Sequence, residues 1–134
     1  MQWLTWLTVA DDRSRGPASL SEPVFQILLS LVDGDLHGYA IIQDIAARTD
    51  GEVRLTASTL YAAVKRLLDA GWIEELAERP QRERDDPRRR YYRVTPVGHE
   101  AARAEARRLE RLATMARTKQ LLPPLRPSSA SEGR

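Results

Sequence analysis

Two histidines, His37 and His99, and no cysteine make up the entire stock of imidazole and thiol in a chain of 134 residues. Without thiols there is no disulfide, no thiolate nucleophile and no thiolate metal site. His37 lies close to Asp33 and Asp35, a set that brings imidazole and carboxylate together but lacks a second imidazole. A loop ahead of a helix explains those acids more simply, and neither a metal nor any other cofactor is expected. No Ser-His-Asp arrangement, phosphate loop or paired catalytic carboxylate occurs, so the chain is not expected to be an enzyme. What remains is the chemistry of arginine. Of 21 basic residues only Lys65 and Lys119 are lysine. The planar guanidinium suits phosphate and guanine edges, although a GC-rich genome produces the same usage.

The arginines are not spread evenly. The net charge of +2 divides into +4 over residues 79–93, +3 over residues 96–119 and −5 over everything else. Such concentration suggests a directed anionic partner such as nucleic acid, with a solvated surface run as the plain alternative.

The composition, 42% hydrophobic and 30% charged, bounds the chain to one small domain with loose ends. No apolar run approaches the roughly 18 residues that would span a bilayer. The first ten residues lack the basic start and small-residue cleavage site of a signal peptide, so a cytoplasmic protein without a membrane partner is expected. Residues 1–19 form an apolar stub, with Trp3, Leu4, Trp6, Leu7 and Val9, followed by a polar linker. The stub's spacing fits a helix or a strand equally well.

Four helices follow from periodicity and capping. Ser21, Glu22 and Pro23 open the first, which is apolar nearly all round through Val24, Phe25, Ile27, Leu28, Leu29, Leu31 and Val32 and must therefore be central. The second runs from about Gly38 or Tyr39 to Arg48, with Ile41, Ile42, Ile45 and Ala46 inward and Gly51 closing its exit. Residues 53–55 read as a strand stub. Thr56 caps a third helix ending at Gly71, with Leu60, Val64, Leu67 and Leu68 on one stripe and Ser58, Tyr61, Ala62 and Lys65 opposite. Residues 72–78 and 88–94 are two strand-like runs joined by a charged loop. Three helices followed by a two-stranded ribbon give the order of a winged helix.

The fourth helix spans about residues 96–119. Val97, Ala101, Ala102, Leu109, Leu112, Ala113, Met115 and Ala116 cover about half its circumference, wider than the ~100° stripe one core needs. Its own domain and a second copy should cover it, which makes Ala101, Glu105, Arg108, Leu109, Leu112 and Ala116 the expected dimer interface. Glu105 and Arg108 are charges inside that face and should pair with each other or across the two-fold. Residues 120–134, with Pro123, Pro124 and Pro127, read as a disordered tail.

HGYAIIQDI at residues 37–45, TDGEVRLTASTLYAAVKRLLDAGWIEE at 49–75 and RRRYYRVTPVGHEA at 88–101 resemble the PadR-like transcriptional regulators. The likeness covers about residues 20–119 in unbroken order. It implies a mainly α fold with a small β-wing: a winged helix-turn-helix DNA-binding domain at residues 20–95 and a C-terminal dimerisation helix at 96–119. It further implies a homodimer that represses at a pseudo-palindromic promoter site on double-stranded DNA, often relieved by a small aromatic effector. The single terminal helix is similar to the compact branch of the family. Ala57 and Ser58 replace the proline and glycine usual ahead of TLY, the terminal helix holds no aromatic residue, and the stub is longer than the usual start.

On that fold Ser58, Thr59, Tyr61, Lys65 and Arg66 would lie along the major groove. Arg88, Arg89 and Arg90 at the wing would meet the minor groove. Tyr39, at the start of the second helix, is either a phosphate ligand or a boundary core residue. The rival is a winged-helix protein-protein adaptor without DNA specificity, whose basic wing binds an acidic partner.

Overall fold

The computed structural model describes residues 20–77 and 89–126. Helix α1 (Glu22–Val32) starts where its chemistry directs: the Ser21 hydroxyl accepts from the Val24 N–H at 3.4 Å, and proline occupies the first turn, where a missing N–H costs nothing. Ile27, Leu28 and Leu31 are buried, and α1 packs against every other helix. The central place expected from its apolar sequence is the one it holds, though not every apolar side chain is covered. Leu29 and Val32 remain exposed, because no described element reaches that side of the helix.

Strand β1 (Leu36–His37) leads directly into α2 (Gly38–Arg48), whose Ile41 and Ile45 complete the layer against α1. Between these helices Arg48 donates to the Asp44 carboxylate at 2.8 Å, to Ser30 Oγ at 2.7 Å and to the Gln26 side chain at 2.8 Å. Burial pushes the Asp44 carboxyl up, but hydrogen bonds from Arg48 and Ser30, with the charge of Arg48, outweigh it and hold the group below the usual carboxylate range.

Residues 53–55 are not a strand. Thr49 claims that backbone instead: its hydroxyl donates to the Ile45 carbonyl at 2.9 Å and accepts from the Val53 N–H at 3.0 Å, while Val53 and Leu55 tuck against the core. The third strand is β1, two residues too short to display any alternation.

Thr56 caps α3 (Ala57–Ala70), which buries Leu60, Ala63, Val64 and Leu67 and ends on Gly71 at φ 78°, the left-handed geometry glycine adopts without strain. Strands β2 (Ile73–Glu75) and β3 (Tyr91–Val94) complete an antiparallel sheet of order β1-β3-β2, with Leu36 opposite Tyr92 and Ile73 opposite Val94. The ladder is shorter than the two sequence runs. Tyr92 enters the core, and Tyr91 is buried as well, with its ring edge-on to His37 at 5.2 Å.

Helix α4 (Pro96–Thr118) is joined to the wing by Thr95, whose hydroxyl donates to the Gly71 carbonyl at 2.7 Å and whose N–H donates to that of Trp72 at 3.0 Å. Any side chain at Gly98 would run into the Trp72 carbonyl oxygen, so glycine permits this close approach. The buried residues of α4 all lie in its first half: Gly98, Ala101, Ala102 and Glu105. Ala101 and Glu105, assigned from sequence to the dimer face, are thus covered by their own chain. Glu105, only 2% exposed, accepts twice from Arg108, at 3.0 and 2.7 Å, and once from the Leu20 N–H at 3.3 Å, so the expected pairing of Glu105 with Arg108 is found. Beyond the helix Gln120 adopts a left-handed φ of 68°, and Arg117 donates to the Pro123 carbonyl at 3.0 Å, which ties the described part of the expected tail to the helix end. Residues 127–134 and the stub with Trp3 and Trp6 lie outside the described residues.

Candidate nucleic-acid interface

The stripe of α3 that enters the core fixes what its other face presents. With Leu60, Val64 and Leu67 inward, Ser58, Tyr61, Ala62 and Lys65 face outward together, and Thr59 and Arg66 flank them in exposed positions. Thr59 is partly occupied by the cap: its N–H donates to Thr56 Oγ1 at 3.1 Å, and its hydroxyl accepts from Thr56 at 3.1 Å. Lys65 reaches Asp69 at 3.3 Å, one turn on, with both side chains largely in solvent. A tether of that kind contributes little and is readily exchanged for a phosphate. Arg66 has no ion-pair partner among the described residues.

Tyr39, 59% exposed, stands at the first turn of α2. His37 caps that turn, its Nδ1 accepting from the Ala40 N–H at 3.2 Å, and Asp35 is taken by two bonds from Arg93 at 3.2 and 2.9 Å. The imidazole and carboxylate that stood near each other in sequence are therefore capping and bracing groups. Among the described residues no three potential ligands gather into a metal site.

The structure brings Tyr39 and Tyr61 to one region: the Tyr61 phenol, 50% exposed, lies against Gly38, immediately before Tyr39. Tyr92 is close by. Burial first, then the Glu75 carboxylate and the Tyr61 hydroxyl, push its phenol above the ordinary tyrosine value. At the wing, Arg90 approaches Glu75 at 3.8 Å and remains largely exposed, as does Arg89. Arg88 lies outside the described residues. Gly38 was read from sequence only as a helix start and as part of HGYAIIQDI; its closeness to the Tyr61 hydroxyl is shown by the fold alone. Arg93 was not expected to brace β1 to β3; only the fold brings it to Asp35.

Residues 27–104 match the Transcriptional regulator PadR-like family. A transcriptional regulator from Clostridium thermocellum superposes with a TM-score of 0.62 at 27% identity, covering 75% of this chain and 97% of that one. Bacillus subtilis PadR in complex with operator DNA superposes with a TM-score of 0.53 at 22% identity, over 64% of this chain and 47% of that one. An uncharacterized protein of Lysinibacillus sphaericus is 35% identical over 72 residues, 54% of this chain, and the match spans 63% of that relative's length. Among the described residues no helix is long and apolar enough to cross a membrane.

Proposed function

The chain belongs to the PadR-like family of transcriptional regulators, and from that premise we propose a cytoplasmic DNA-binding repressor that holds a pseudo-palindromic promoter site as a homodimer. The family is one of regulators, not of enzymes. The observation that carries the proposal is the outward face of α3. Hydroxyls and a phenol lie near its N-terminus and two cations follow one to two turns later, on a helix whose opposite face is locked into the core. That is the order of groups that enters a major groove, short donors and acceptors first and phosphate or guanine ligands behind. Tyr39 and the arginines of the wing flank this face and would take phosphates on either side. The operator complex of the similarly folded Bacillus subtilis PadR supports the same use of the fold.

The dimer rests on the second half of α4. Leu109, Leu112 and Met115 are 40%, 48% and 60% exposed, and Leu121, Leu122 and Leu125 extend the apolar surface past the helix end, around an open groove of about 900 Å³. Leu29 and Val32 on α1 add a second uncovered patch. An apolar surface of this extent on a small regulator is the mark of a partner, and a two-fold partner would set two copies of α3 about 34 Å apart, one turn of DNA. Ala116 lies along this half, and Arg108, fastened to Glu105, borders it. A small aromatic effector belongs to the family reading alone, since α4 has no aromatic side chain to receive one.

Selection of duplexes from a randomised pool, followed by footprinting, tests the function. Enrichment of a sequence with two inverted half-sites one helical turn apart is expected. A pool that emerges with no preference contradicts sequence-specific regulation and favours the adaptor, whose contacts would show no preference for duplex at all.

A further inference from the structure

Gly38 opens α2 at a position where the backbone does not call for glycine. Its φ is not positive, and alanine is the better helix former. What excludes a side chain there is Tyr61. A Cβ on Gly38 would collide with the Tyr61 hydroxyl and come within 3.0 Å of Tyr61 Cζ and Leu60 Cδ2. Gly98 makes an instructive contrast. Its obstacle is the backbone of Trp72, held by a hydrogen bond from Thr95, whereas the main obstacle at Gly38 is the far end of a half-exposed side chain. A methyl group at residue 38 would therefore displace a phenol rather than break the fold.

That phenol sits where three elements meet. His37 is paired with Tyr91 across the β1–β3 ladder, so Gly38, the next residue, is held at a fixed offset from the sheet. Tyr61 comes from the outward face of α3, and its hydroxyl is near enough to Tyr92 of β3 to disfavour ionisation there. Tyr39, the residue after Gly38, is largely in solvent. We propose that Gly38 is a positioning residue for DNA recognition: its bare Cα seats Tyr61 against the first turn of α2 and so fixes the phenol of α3 relative to Tyr39 and the sheet. The inference rests on the DNA-binding reading and adds to it a residue that touches no DNA.

The test is a double-mutant cycle on the duplex that the parent protein selects, with affinity read by fluorescence anisotropy for the parent, Gly38→Ala, Tyr61→Phe and the double variant. Tyr61→Phe deletes the atom that collides and leaves only the 3.0 Å approaches to the ring carbon Cζ and Leu60 Cδ2, which a shift of a few tenths of an ångström relieves. Gly38→Ala should weaken binding about tenfold in the parent background, the scale of one recognition contact, and less than about twofold in the Tyr61→Phe background. Its melting temperature should stay within a few degrees of the parent. Equal losses in both backgrounds, or no loss in either, overturn the proposal. So does a large fall in the melting temperature of Gly38→Ala, which would assign the glycine to folding alone. A parent that selects no duplex overturns the DNA-binding reading and this inference together, whereas additive losses on a selected duplex overturn the inference only.

Discussion

Replacing Gly98 by alanine should damage the joint between wing and terminal helix more than any other single methyl group added to a described glycine. The added Cβ would overlap the Trp72 carbonyl oxygen and stand 2.8 Å from its carbonyl carbon and 3.0 Å from its Cα. None of these atoms can rotate away, because they are backbone, and the oxygen is already engaged by the Thr95 N–H at 3.0 Å. Overpacking of this kind costs about 1–3 kcal/mol. Displacing the carbonyl forfeits a hydrogen bond worth about 1 kcal/mol, while alanine's helix preference over glycine returns about 1 kcal/mol. The net loss is about 2 kcal/mol, which for a domain of roughly 100 residues lowers the melting temperature by about 8–16 °C. Thermal unfolding followed by circular dichroism measures it directly. Gly34→Ala is the internal control: nothing lies within 4 Å of its added Cβ and its φ is not positive, so it should melt within about 3 °C of the parent. If Gly98→Ala melts at or above the parent temperature, the close approach of α4 to Trp72 is not what holds the two together.

Leu112→Glu should convert the proposed dimer into a monomer, because it places like charges on the uncovered half of α4 while disturbing little of the chain's own core. Equilibrium sedimentation at micromolar concentration checks this, and a variant that stays dimeric moves the interface away from Leu112. Asp44 links stability to acid. Its carboxyl is held below the usual carboxylate range in the folded protein, so its contribution is present above roughly pH 4 and is lost as pH falls through the folded value. Urea unfolding between about pH 5 and pH 2 should therefore show a shallower acid limb for Asp44→Asn than for the parent; identical limbs would remove Asp44 from the account.

Helices were legible in the sequence where a cap and a buried stripe agreed. Ser21, Thr56 and Thr95 each precede a helix and each accepts the expected backbone N–H. The partition of α3 into an inward stripe and an outward face followed from periodicity alone, and most of the candidate surface came with it. What stayed hidden depends on contacts distant in sequence. Two residues of β1 carry no period, so only pairing with Tyr91 and Tyr92 makes them a strand, while residues 53–55 have the composition of a strand but pair with none, the Val53 N–H donating to the Thr49 hydroxyl instead. Helix α4 shows the same limit. Its apolar half-circumference was visible, but only the packing of α1 shows that Ala101 and Glu105 are covered within the chain, leaving Leu109, Leu112 and Met115 outside. The burial of Tyr91 was not legible, because its ring neighbour, His37, comes from a strand the sequence did not reveal.

Whether the outward face of α3 reads sequence is tested by comparing the parent with the Lys65→Ala, Arg66→Ala double variant on two duplexes of equal length, the selected one and a scrambled one, at a fixed salt concentration. Both side chains project from the exposed face, so the variant should fold as the parent does. The parent should favour the selected duplex by at least about 10³. If either cation reads a base edge, the variant should lose about tenfold or more of that preference; if both hold phosphates, affinity should fall on both duplexes and the salt slope should drop by about two. A variant that keeps both the parental preference and the parental salt slope would show that DNA is read elsewhere on the molecule.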